Sequence, residues 1–152
     1  YIYSGKYKLT DQLEGTPVDI GKALLSPTRT YAPLLNKIVE NSELKSAING
    51  IIHCTGGAQT KVMKFLDKPL HIIKDNLLTV PPLFQTIKDT TETTWKEMYE
   101  VFNCGHRLEI YCPASVADEL IAISKSFNID AQVVGKCTPS AEKMLTIDGI
   151  DY

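Results

Sequence analysis

Apolar positions along this chain come in short blocks whose spacing switches between helical and strand-like periods. Tyr31, Leu34, Leu35 and Ile38 fall on one helical face, and Trp95, Met98, Tyr99 and Phe102 on another. Val116, Leu120, Ile123 and Phe127 recur at helical spacing and predict a third, with Ser115 as its cap. Shorter helices are predicted at 19–25, opened by Asp19, and at 42–48, with Ser42 as N-cap. Another follows Gly57, where Ala58, Val62, Phe65 and Leu66 share a face. In "VPPLFQTIKD" a helix is predicted to start with Pro81 or Pro82 in its first turn, where a missing N–H is harmless. Thr94 and Glu97 have capping-box spacing.

Between these stretches lie blocks too short for helices. "GIIHCT" (50–55), "LHIIKD" (70–75), "RLEIYC" (107–112), "AQVVGKC" (131–137) and "KMLTID" (143–148) are predicted strands, with Gly135 marking a bulge. The order predicts an α/β (α+β mixed) domain: βα units, then a β-rich C-terminal end, with one mixed sheet covered by helices on both faces. Residues 1–18, with Gly5, Gly15 and Pro17 among polar positions, read as a linker or edge segment, and 19–152 as the domain.

Composition narrows the partners. At 152 residues the chain suffices for one domain with its own core, and 43% apolar with 22% charged residues is a globular balance. The net charge of −2 and the lack of a basic stripe argue against nucleic acid. Apolar runs are too short to span a bilayer. No signal peptide is recognised, and a chain that starts at Tyr1 without methionine is expected to be a fragment or processed product. Cys54, Cys104, Cys112 and Cys137 form no C-x-x-C pair, which predicts free thiols in a reducing, cytoplasmic setting and no metal site.

Three polar junctions carry the candidate chemistry. In "SPTRTY" (26–31), Pro27 disfavours helix at Ser26, Thr28 or Thr30 can cap the next helix, and Arg29 stands at its positive end. That is either a cap beside a solvated arginine or an anion site. The helix terminus would contribute roughly 0.3–1 kcal/mol, and a forked arginine ~1.5–3 kcal/mol. "HCTGGAQT" (53–60) is strand, glycine turn, helix. It is either a plain connection or a place where backbone approaches phosphate, and His53 reads as a packed histidine. In "FNCGHR" (102–107), Asn103 and Gly105 are residue types that accept a left-handed backbone, so a helix stops and a strand begins there. Cys104 is then a packed or site-lining thiol, or, with His106, an attacking one.

Taken in order, "LLSPTRTY", "HCTGG" before a helix, "VPPLF" and "EMYEVFNCG" resemble the C-terminal domain of phosphoribosylformylglycinamidine cyclo-ligase (aminoimidazole ribonucleotide synthetase) over about residues 20–137. The resemblance implies a three-layer α/β/α domain with a mixed sheet, closing a cleft against an N-terminal domain outside this chain. That other domain would dimerise, making a homodimer, and supply most ATP and Mg²⁺ contacts. The implied reaction closes the imidazole ring of formylglycinamidine ribonucleotide: ATP activates the formyl oxygen, an amine of the same substrate displaces phosphate, and aminoimidazole ribonucleotide results. The fragment alone would be inactive. Matching the motifs places Pro27, Thr28 and Arg29, then Thr55, Gly56 and Gly57, then Asn103, Cys104 and Gly105, at the substrate/ATP cleft, with no catalytic role assigned to any one of them. Ala58 replaces a commoner third glycine, and His106 and Arg107 replace small apolar residues; this pair is assigned to the cleft too. Arg107 would face substrate phosphate or ATP, or pair with a local carboxylate. The rival reading is a stand-alone phosphoanion- or nucleotide-binding module without catalysis.

Overall fold

The computed structural model describes residues 5–152. Helix starts follow the orphan N–H groups of the first turn and whichever side chain reaches them. α1 (Ile20–Leu24) opens where Asp19 Oδ1 accepts from Lys22 N at 2.7 Å. α2 (Ala32–Glu40) begins after Tyr31 with Pro33 in its first turn and no side-chain cap, so neither Thr28 nor Thr30 fills that role. α3 (Ser42–Ala47) is capped by Asn41 rather than Ser42, because Asn41 Oδ1 reaches both Glu43 N at 3.0 Å and Leu44 N at 3.2 Å. Pro82 takes the first position of α4 (Pro82–Thr91). α5 (Trp95–Val101) starts at Thr94, whose Oγ1 accepts from Glu97 N at 3.3 Å. Ser115 does not cap α6 (Ala117–Ser126); it lies inside a 3₁₀ turn, Ala114–Val116, that leads into it. The helix expected after Gly57 is a 3₁₀ helix, Ala58–Lys64.

The strands form two sheets rather than the single mixed sheet expected. β1 (Gly50–His53) pairs antiparallel with β3 (Leu108–Tyr111), Ile52 opposite Glu109 and His53 opposite Leu108. β2 (His71–Lys74) lies inside a four-stranded sheet with β4 (Gly135–Thr138), β5 (Met144–Ile147) and β6 (Ile150–Asp151), in the order β4-β2-β5-β6. Only β2 and β5 run parallel, so this sheet is mixed. What joins β2 to β3 is an ion pair between side chains, Lys74 and Glu109, not a ladder. Gly135 pairs squarely with Lys74 and marks no bulge; a Cβ there would run into the Ile73 carbonyl, so the glycine serves close strand approach.

Two apolar cores result. The larger gathers Ile52, Cys54, Val62, Ile72, Met98, Tyr99, Cys104, Leu145 and Ile147. The smaller gathers Leu34, Ile38 and Leu44 from α2 and α3 with Leu120 of α6. The segment before α1 buries Leu13, held by Leu13 N donating to Val18 O at 3.1 Å and a bridge from Gln12 to Asp19. Among the described residues no helix is long and apolar enough to cross a membrane.

Candidate functional site

Because β1 and β3 are antiparallel, the end of β1 and the start of β3 lie side by side. The "TGG" turn leaves the first and the "NCGHR" turn enters the second. Cys54 N donates to Arg107 O at 2.9 Å, extending the pairing beyond the ladder, and Asn103 Nδ2 reaches Cys54 O at 3.4 Å. The third junction joins through Tyr31, whose ring meets the His53 ring edge-on with centroids 5.8 Å apart. His53 is exposed, not the packed histidine expected, because alternation along β1 turns Ile52 inward and His53 out.

The turn at Asn103 differs in detail from its expected form. Cys104 (φ 49°) and Gly105 (φ 99°) take the left-handed backbone, whereas Asn103 does not. Its Oδ1 accepts from Gly105 N at 3.1 Å, and its carbonyl accepts from His106 N at 2.9 Å and Gln59 Nε2 at 3.1 Å. Gly105 is needed here twice over, since a Cβ would also stand 3.2 Å from Pro81 Cδ. Cys104 faces the core instead of the cleft; its Sγ contacts Met98 O at 3.9 Å, and burial pushes the thiol up to about 11. Such a thiol is not an attacking group. His106 is also turned inward. Its Nε2 accepts from Leu78 N at 3.0 Å, and burial pushes it down to about 4, against a raising influence of Glu109. It is a neutral tether for the Leu78 backbone.

In the "TGG" turn, Gly57 has φ 86° and the buried Ala58 φ 44°. Ala58 N donates to Thr55 O at 2.7 Å. Lys61 Nζ lies over the turn, donating to Thr55 Oγ1 at 2.8 Å and His53 O at 2.9 Å. Gly56 has ordinary φ and no atom within 4 Å of where a Cβ would stand, so the space beside it is open.

Next to these turns, Arg29, Tyr31, Gly105 and Arg107 line one cleft of about 510 Å³, faced by residues 128–132. Arg29 Nη1 donates to Asn128 O at 3.4 Å. Burial raises the Tyr31 phenol, and the charges of Arg107 and Arg29 oppose that rise, so the hydroxyl feels both guanidinium groups. Pro27 and Thr28 are exposed on the approach to Arg29. The three junctions therefore meet at one end of the β1–β3 pair, but only Arg29, Gly105 and Arg107 of the expected residues line the cleft itself. Thr55, Gly56, Gly57 and Asn103 stand at the adjoining turns.

Residues 6–148 match the family described as AIR synthase related protein, C-terminal domain. The chain belongs to that family. It is 30% identical over 123 residues to a phosphoribosylformylglycinamidine cyclo-ligase of Methanocaldococcus jannaschii, covering 81% of this chain and 34% of the relative. Identity to the enzyme of the same name from Geobacter metallireducens is 31% over 143 residues, covering 91% and 40%. For that of Methanococcus vannielii it is 33% over 131 residues, covering 86% and 35%. The chain thus spans well under half the length of the curated relatives it matches.

In this member of the family a buried polar network also backs the site, and sequence reasoning missed it. Lys74 Nζ donates to Glu109 Oε1 at 2.5 Å and to Gln59 O at 2.7 Å, and Tyr111 OH donates to Glu109 Oε2 at 2.7 Å. Both charged side chains are at most 5% exposed. Burial raises the Tyr111 phenol, and Glu109 adds to the rise. The network borders a second crevice of about 890 Å³ between β3 and the β2–β4 pair. Its signal in the sequence was a glutamate in mid-strand, with Tyr111 two residues on and therefore on the same face. Through Gln59, which holds the Asn103 carbonyl, Lys74 links the "TGG" and "NCG" turns. The other side-chain atom of Gln59, Oε1, is buried without a partner.

Proposed function

We propose that this chain is the C-terminal part of an ATP-dependent cyclo-ligase that converts formylglycinamidine ribonucleotide to aminoimidazole ribonucleotide in de novo purine biosynthesis. The observation that carries the reading is the convergence of three junctions, far apart in sequence, at one end of the β1–β3 pair beside a cleft holding two arginines. The relatives named as this cyclo-ligase point the same way.

The chemistry suits such a site. Phosphoryl transfer to the formyl oxygen makes that oxygen a leaving group, and the substrate's own amine then displaces phosphate. Positioning and charge stabilisation do most of this, and no protein nucleophile is needed. Arg29 and Arg107 bind and orient an anionic group, and the open space beside Gly56 lets the Thr55–Gly57 backbone be approached closely. Pro27, Thr28 and Asn103 shape the rim. Ring closure is intramolecular, so a folded, held substrate is a large part of the rate.

Among the described residues no three His, Cys, Asp or Glu side chains converge into a ready-made metal site. In this reading ATP and Mg²⁺ are assigned mainly to an N-terminal domain beyond this chain. The complete enzyme in this reading is a cytoplasmic homodimer, its C-terminal half a three-layer α/β/α domain, inactive alone.

The test joins this chain to a family N-terminal domain in one polypeptide and follows ADP and aminoimidazole ribonucleotide. ATP-dependent ring closure is expected, with Arg29→Ala leaving the melting temperature in place while turnover or substrate affinity falls. No ring closure by a folded parent protein would overturn the assignment. A stand-alone binding module would instead hold ribonucleotides tightly without a second domain.

A further inference from the structure

Between β2 and α4 the chain crosses residues 75–81 without helix or strand. The start of this segment is stitched to residues 132–134. Asp75 N and Asn76 N donate to Val134 O at 3.2 and 3.1 Å, Asn76 Nδ2 to Val133 O at 2.7 Å, and Gln132 Nε2 to Asn76 O at 2.8 Å. Its far end joins the first turn of α4, where Pro81 O accepts from Phe84 N at 3.0 Å. In between, among the described residues, the Leu78 N–H is the one backbone group of residues 77–80 with a hydrogen-bond partner, His106 Nε2 at 3.0 Å. Leu78, Thr79 and Pro81 line the cleft that also holds Arg29, Tyr31 and Arg107, so this single bond bears on the shape of one cleft wall.

His106 is well placed to hold that wall. It is buried, and its own N donates at 2.9 Å to the Asn103 carbonyl, which Gln59 Nε2 also holds at 3.1 Å. The neighbouring turn residue abuts the same segment: a Cβ on Gly105 would stand 3.2 Å from Pro81 Cδ and 3.4 Å from Thr79 O. Accepting from an N–H requires a lone pair on Nε2, which a neutral ring protonated at Nδ1 supplies. An apolar side chain at position 106 has no acceptor to offer. We infer that His106 is a positioning residue: through Leu78 N it fixes the Leu78, Thr79 and Pro81 wall, so the shape of the cleft depends on the imidazole. Without that bond residues 77–80 are held at their two ends alone and open locally. A ligand then has to order them as it binds, and its affinity falls. Taking that ligand to be the substrate ribonucleotide rests on the cyclo-ligase reading; the tether itself does not.

Amide exchange is followed by NMR in the full chain, comparing the parent with two variants. His106→Phe keeps an aromatic ring and removes the acceptor, and His106→Gln carries an Oε1 that reaches about as far as the imidazole Nε2. In His106→Phe the Leu78 amide is expected to exchange about tenfold faster or more, the equivalent of one lost hydrogen bond. The contact between the Gly105 α-hydrogens and Pro81 should weaken with it. The Met98 and Met144 amides, bonded to Thr94 O and Leu70 O, should keep their rates. His106→Gln is expected to restore the protection of Leu78. Unchanged exchange at Leu78 in His106→Phe would overturn the inference. So would acceleration shared by Met98 and Met144, or an unmoved Gly105–Pro81 contact. In the joined enzyme, His106→Phe is expected to raise KM for formylglycinamidine ribonucleotide severalfold, with kcat within about twofold of the parent. A lower kcat at unchanged KM, the mark of a merely structural lesion, would also overturn it. A parent enzyme with no ring closure counts against the cyclo-ligase reading alone, and the exchange and contact measurements then decide His106 by themselves.

Discussion

Lys74 and Arg107 are both cations placed at strand ends, and the fold treats them in opposite ways. Lys74 closes β2 from inside, almost without exposure, and is matched at once by Glu109 and the Gln59 carbonyl. Arg107 enters β3 from the outside, shares a cleft with Arg29, and forms no ion pair among the described residues. The difference follows from solvation. A charge taken out of water must be neutralised by the fold itself, or burial would forbid it. A charge at a wet cleft keeps its hydration and can remain open for a ligand. One centre is therefore structural and already satisfied, while the other stays open and is the one proposed to take a ligand.

That contrast is breakable by substitution. The largest effect is expected from Glu109→Ala, which leaves Lys74 buried and uncompensated and should lower unfolding stability by about 3–5 kcal/mol in denaturant titration. The paired change Lys74→Met with Glu109→Leu should recover most of that, since apolar replacement of a buried pair is often neutral. If Glu109→Ala costs under about 1 kcal/mol, the pair is not structural in the sense argued.

The next effect is one of pH and belongs to the same buried side. His106 is held down to about 4 from an ordinary 6.5, so the folded state binds fewer protons than the unfolded chain as pH falls between these values. Its stabilising contribution is full above pH ~6.5 and is lost progressively toward pH 4, amounting to ~3 kcal/mol. Stability curves of His106→Asn against the parent should flatten across that window; parallel curves would remove His106 as the cause. Thr94→Ala, which leaves Glu97 N without its cap at the start of α5, should cost about 1 kcal/mol. Smallest of all on stability are Arg29→Ala and Arg107→Ala, expected within about 0.5 kcal/mol of the parent. Marked destabilisation by either arginine change would erase the distinction between the two centres.

Much of the local structure was legible beforehand. Asp19, Pro82 and Thr94 open helices as their chemistry predicts, and all five predicted strand blocks contain strands. The errors lie where neighbouring groups compete at close range. Asn41 displaced Ser42 as cap by reaching two N–H groups, and Ser115 was absorbed into a 3₁₀ turn. The glycine turn runs into a 3₁₀ rather than an α-helix. In the site, the three motifs were legible as positions but not as directions. Cys104 and Gly105 take the left-handed backbone of a tight turn, and within it the thiol and the His106 ring are packed inward while Arg107 stays exposed.

The sequence by itself determined the inventory: short amphipathic helices and short strands, three polar junctions, and a motif order that marked the family. Periodicity, caps and glycine turns act over a few residues, so they can be read along the chain. Tertiary structure alone decided that β1 pairs with β3 apart from the other strands, that Lys74 meets Glu109, and that Arg29 and Arg107 share a cleft. Those outcomes depend on long-range register and on which charges water leaves behind, and no local pattern encodes either.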